Sequence, residues 1–135
     1  MAFGNQIAEF KAKTTSRTVT ETGGAVLRAT INNEGTVSGK LAGMIMYTVH
    51  VEQFADGTGK AEAKVAIMGP EGEMASGSGS AVGFMTGPGK FSVRGLMAMH
   101  SDHPKWNWLN NTPLAMESVV DMAASEEIGR MFEWK

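Results

Sequence analysis

The chain has no cysteine, which removes disulfide bridges and thiolate metal sites from consideration. Small secreted domains are commonly stapled by disulfides, so their absence leads us to expect a cytoplasmic protein. No apolar run reaches the ~20 residues that span a bilayer. Residues Met1 to Phe10 lack a basic segment followed by an apolar one, so no signal peptide is expected. Neither sign of charge dominates: 12 Lys and Arg face 14 Asp and Glu, for a net charge of -2. That balance argues against nucleic-acid binding and against a polybasic membrane-surface patch. Only three histidines are present, and no His-Glu-x-x-His segment occurs. A metal held by His100, Asp102, His103 and His50 is conceivable, but the ligand spacing of known sites is missing, so we expect neither metal nor cofactor.

What the chain does have is glycine and methionine. Fifteen of its 17 glycines fall between Gly23 and Gly95. They sit within segments of period-two alternation, which is the mark of strands joined by tight turns. Turns are expected at Asn32-Asn33-Glu34-Gly35, Asp56-Gly57-Thr58-Gly59, Gly69-Pro70-Glu71-Gly72 and Gly87-Pro88-Gly89. Strands are expected over Gln6 to Lys13, Ala25 to Ile31, Thr36 to Phe54, Lys60 to Met68, Glu73 to Met85 and Lys90 to His100. Arg17 to Thr22 reads as a β-branched, polar connection, and Gly39 and Gly43 as bends within the long third strand. Gly77, Gly79 and Gly83 would let the fifth strand coil as barrel closure requires. Ala115 to Met122 and Ile128 to Trp134 fit either a helical stripe or two strands joined at Ala124-Ser125-Glu126-Glu127, and we prefer strands. The 135 residues suit a single domain over residues 1–135. The expected fold is therefore all-β, an antiparallel up-and-down barrel of about eight strands, a size whose interior holds side chains or one small ligand.

The chemistry is less legible. The Gly39-Lys40, Gly59-Lys60 and Gly89-Lys90 pairs lack the upstream glycine and following Ser or Thr of a phosphate loop. The Gly77-Ser78-Gly79-Ser80-Ala81-Val82-Gly83 run lacks dinucleotide-binding spacing and precedes no helix. Two groups of residues stand out. His50 and Glu52 share one strand face; inside a barrel they would form an acid/base pair, and outside a solvated one. Tyr47 points to the face opposite His50. The segment His100-Ser101-Asp102-His103-Pro104-Lys105-Trp106-Asn107-Trp108 holds two of three histidines and two of three tryptophans. It reads as a solvated loop closing one barrel end, or as a lid over a cavity. Arg94 and Glu117 are either a buried pair or unrelated exposed charges. The 11 methionines are ordinary core filling or the lining of an adaptable cavity.

The stretch Gly35-Thr36-Val37-Ser38-Gly39-Lys40-Leu41-Ala42-Gly43, the glycine-rich fifth strand and Phe132-Glu133-Trp134 resemble the small calycin-type barrels. These include the allene-oxide-cyclase-like group and uncharacterised bacterial barrels of similar length. The resemblance implies a central cavity for apolar small molecules, which some members cyclise or isomerise. It carries no catalytic motif, so no site residue follows from it. From the residues themselves, His50, Glu52, Arg94 and His100 are the expected proton-transfer groups. Met46, Tyr47, Met97, Trp106 and Trp108 are the expected ligand lining, with the two tryptophans as lid. The expected function is binding of an apolar or partly aromatic small molecule, as a metal-independent cyclase, isomerase or lyase. The alternatives are a non-catalytic carrier and a packed barrel acting as an interaction module. A homodimer formed through the barrel exterior is also expected.

Overall fold

The computed structural model describes residues 4–23 and 26–134. Its strands are β1 (Gln6–Glu21), β2 (Val26–Gly39), β3 (Gly43–Phe54), β4 (Thr58–Met68), β5 (Met74–Gly87), β6 (Lys90–His100), β7 (Leu114–Asp121) and β8 (Glu126–Glu133). Every strand pairs antiparallel with its sequence neighbour, and β8 returns to β1 to close an eight-stranded up-and-down barrel. The closing register runs from Gln6 opposite Phe132 to Lys13 opposite Glu126. A 3-10 turn at Asn107–Asn111 interrupts the long β6–β7 connection. Among the described residues no helix is long and apolar enough to cross a membrane.

Alternation along each strand sends one residue inward and the next outward. On β3, Ile45 and Tyr47 are buried while Met44, Met46 and His50 are exposed. Ile67 and Val65 of β4, Ala75 of β5, Met97 and Met99 of β6, Leu114 of β7 and Met131 of β8 continue the same core. The hairpin at 122–125 confirms strands in the C-terminal third, with Ser125 taking the left-handed backbone its turn requires (φ 51°).

Three expected elements are corrected. Residues 32–35 are not a turn: they lie inside β2, with Asn33 opposite Tyr47 and Gly35 opposite Ile45. The glycine serves a close approach there, since a Cβ on Gly35 would sit 1.9 Å from the Lys11 carbonyl oxygen of β1. The segment from Thr36 to Phe54 is not one strand. Gly39 adopts φ 96°, Lys40 N–H donates to Ile7 O at 2.8 Å, and the chain reverses before β3 begins. Arg17 to Thr22 is no loose connection either. Arg17, Thr18 and Val19 extend β1 past a bulge and pair with Ile31, Thr30 and Ala29. Polar side chains suggest a loop, but the β-branched Thr18 and Val19 continue the pairing with β2.

Gly35→Ala is expected to destabilise the fold by about 1–3 kcal/mol or more, because the obstacle is backbone and cannot yield cheaply. Gly87→Ala, with nothing within 4 Å of its would-be Cβ, is expected to stay within about 0.5 kcal/mol of the parent. Urea midpoints of the two variants measure the difference.

Candidate functional site

The two barrel ends are built differently. At the end where β6 finishes and β7 starts, residues 101–113 fold across the opening. Ser101 anchors this segment: its hydroxyl donates to Met74 O at 2.6 Å, and its N–H donates to Asn110 Oδ1 at 2.8 Å. Asn110 Nδ2 completes the clamp by donating to Ser101 O at 3.0 Å. Trp106 and Leu109, thus held, are 1 % and 2 % exposed and pack with Leu41 and Leu114 as a plug. Glu73 is buried at the same end, 3.3 Å from Lys105 Nζ. Its carboxyl is held below the usual range, first by its own backbone N–H and then, against the effect of burial, by Glu71 N–H and Lys105.

The opposite half of the interior is not filled. A pocket of about 300 Å³ runs inward from the end where β1, β3, β5 and β7 finish. Phe10, Ile31, Ile45, Val65, Met97 and Met131 contribute apolar walls, and Arg17 and Met122 stand near its mouth. Within the wall one hydrogen-bonded polar cluster forms around Glu127. Tyr47 donates its hydroxyl to Glu127 Oε1 at 2.5 Å, and Ser118 donates to Glu127 Oε2 at 2.5 Å. Beside them Thr14 donates to Asn33 Oδ1 at 2.7 Å. Tyr47 is also fixed edge-on against Phe10, with ring centroids 6.1 Å apart. Burial, reinforced by the charge of Glu127 and the bond to it, pushes the Tyr47 phenol well above its ordinary value. The phenol is therefore a hydrogen-bond donor at any ordinary pH.

Charge inside an apolar wall is costly unless it is paired or coordinated. The described residues form no ion pair with Glu127, whose partners are two neutral hydroxyls. Arg17 borders the same pocket but spends its guanidinium on Met122 O and Ser125 Oγ, at 3.4 and 3.2 Å. An Ile or Leu in place of Glu127 would fill the barrel without that cost, so packing alone does not account for the carboxylate.

Of the residues singled out from sequence, Tyr47 and Met97 line this pocket. His50, Glu52 and Arg94 do not. Alternation turns them to the outer wall, where they border a broad groove with Lys60, Glu62 and Glu117. His50 there meets Thr30 Oγ1 at 3.1 Å, and Glu52 meets Arg28 at 3.2 Å. Glu117 pairs with Arg130 at 2.7 Å on the surface, so it forms no buried pair with Arg94. Met46 is likewise external. His100 lies outside, 2.8 Å from Asp102. Trp106 belongs to the plug, and Trp108 lies half-buried beneath Lys40 Nζ, 5.6 Å from its ring centre. Neither tryptophan reaches the pocket, which opens at the other end.

Glu127, Ser118 and Asn33 were not anticipated. In sequence Glu127 and Asn33 each read as part of a turn. The available signal was parity: Glu127, Gly129 and Met131 share a face, as do Met116, Ser118 and Val120.

No protein-family model matches the chain, and no curated protein matches it. Solved structures do. A protein of unknown function from Clostridium acetobutylicum superposes with a TM-score of 0.85 over 100 % of both chains, at 14 % identity. A β-barrel-like protein from Acinetobacter baumannii gives 0.83, with 99 % of this chain and 96 % of its own covered, at 15 % identity. An enzyme from Penicillium herquei gives 0.67, covering 98 % of this chain and 97 % of its own, at 20 % identity. The chain shares their fold. At such identities the likeness extends no further than the fold.

Tyr47 is the single tyrosine, so its ionisation can be followed by absorbance near 295 nm. An unfolded tyrosine ionises near pH 10, and Tyr47 in the fold ionises higher. The stability it contributes is therefore intact below about pH 10 and is lost as pH rises toward the folded value. Tyrosinate absorbance is expected to appear only together with unfolding. A separate titration near pH 10 in folded protein would contradict the burial described.

Proposed function

We propose that the barrel binds one apolar or partly aromatic small molecule, with its apolar body between Phe10, Ile45, Val65 and Met97 and its polar end at Tyr47 and Glu127. The observation that carries this reading is the carboxylate held by two hydroxyls within an otherwise apolar pocket of about 300 Å³. Ligand sites commonly have this composition, apolar walls with a few convergent polar groups that fix orientation, and the volume is at the small end of their range. Convergence of two hydroxyls on one part-buried carboxylate favours an enzyme over a carrier, since apolar cargo needs no oriented carboxylate in the wall. The Penicillium herquei neighbour, itself an enzyme, is consistent with this at the level of fold.

Native mass spectrometry of the purified protein, alone and with a panel of apolar ketones, alcohols and phenols, tests the reading. Retained mass that leaves on activation is expected. Ala63 lines the pocket and packs against the core, so Ala63→Phe should fill it and weaken binding at least about tenfold, roughly 1.4 kcal/mol. His50→Ala, on the outer wall, should leave binding unchanged. Equal binding by the Ala63→Phe variant would place the ligand elsewhere.

A further inference from the structure

We propose that Glu127 is a catalytic base that moves a proton at the carbon next to a ligand carbonyl, with Tyr47 and Asn33 receiving the oxygen. This rests on the binding site proposed above and assigns it a substrate class: apolar, partly aromatic enolisable ketones.

The argument starts from lone pairs. A carboxylate offers about four acceptor positions, and Tyr47 and Ser118 take one on each oxygen of Glu127. Each oxygen keeps a further position with which to accept a proton. The two hydroxyls also fix the carboxylate plane from opposite strands, β3 and β7, so little reorganisation is needed when a substrate arrives. Tyr47 cannot serve as the base, because burial beside Glu127 keeps its phenol protonated. It is the donor.

A donor for the oxygen is also present. Asn33 is directly opposite Tyr47 in the β2–β3 register and faces the same pocket. Its Oδ1 accepts from Thr14, and among the described residues no partner engages its Nδ2. The pocket is thus lined by a phenol O–H bonded to the carboxylate and by an amide on the strand next to it.

The step balances within the substrate and one side chain. The α C–H bond breaks, its proton passes to a Glu127 oxygen, and its electron pair moves into the carbonyl to give an enolate. As negative charge leaves Glu127 for the enolate oxygen, the Tyr47 O–H turns from the former to the latter and Asn33 Nδ2–H supports it. Glu127 then returns the proton to the same carbon, or to the γ carbon where the ketone carries a β,γ double bond, which shifts that bond into conjugation. Nothing is oxidised or reduced, and no co-reactant is consumed. Ser118 does not touch the substrate and acts as a positioning residue.

The probe is 2-tetralone in D2O, with deuterium at the α carbons read by mass and bound ketone read by native mass spectrometry in the same samples. The parent protein is expected to speed exchange, and Glu127→Gln to lose about 10²–10⁴-fold of that acceleration, the span typical of a general base, while still binding the ketone. Should Glu127→Gln not fold, as judged by circular dichroism, Glu127→Asp makes the same test: the carboxylate is kept but withdrawn, and exchange should fall at least about tenfold. Ser118→Ala should lower the exchange rate and leave ketone affinity unchanged. Ketone that binds but exchanges no faster with the parent than with the Glu127 variant would overturn the proton transfer and leave the binding reading standing. No bound ketone would overturn both.

Discussion

Closure of the sheet between β1 and β8 is the constraint on which the other features depend. Closure pairs β1 with β8, so no strand of the eight is left as a sheet edge along its whole length. Closure at this size forces strands to coil tightly and brings backbones close to one another. The inner face pays for this with small residues. Gly77 and Gly79 of β5 would place a Cβ 2.0 and 2.6 Å from carbonyl oxygens of β6, and Gly129 of β8 would place one 2.4 Å from the ring of Phe10. The glycine-rich sequence is therefore a condition of curvature rather than of flexibility.

The same small residues decide where the interior is empty. Bulky side chains, Trp106, Leu109, Leu41, Ile67 and Leu114, gather at the end crossed by residues 101–113. Toward the other end the inner face of β4 and β5 carries Gly59, Ala61, Ala63, Gly79, Ala81 and Gly83. Facing positions that are all small cannot fill an interior of this diameter. A plug at one end and a pocket at the other follow from that distribution.

The polar cluster uses the architecture in turn. Tyr47 of β3 is far in sequence from Ser118 and Glu127 of the β7–β8 hairpin, but closure of the barrel brings them together. Rigid strands hold each side chain by packing and by a neighbour: Tyr47 by Phe10, Asn33 by Thr14. A site built this way is preorganised, which suits chemistry that needs oriented donors more than mobility.

Composition and alternation were enough for the fold class, the approximate strand set and the strand character of residues 114–133, because period two survives in almost every segment. They also placed Tyr47 opposite His50, since parity within one strand is local. Turns were less legible. Asn33-Glu34-Gly35 has turn chemistry, but pairing with β1 and β3 overrides that preference and uses the glycine for contact. The inside of the barrel was not legible at all on β3, where Ile45, Tyr47, Val49 and Val51 alternate with Met44, Met46, His50 and Glu52 on two faces that could each be buried. Only the closed sheet, with its fixed curvature and register, chooses between them and turns the histidine and its glutamate to the outer wall. The same closure brings Glu127 and Ser118 to Tyr47 across 80 and 71 residues of chain. Sequence alone determines what is decided between neighbours along one strand, and tertiary structure decides what depends on which strands meet across the barrel.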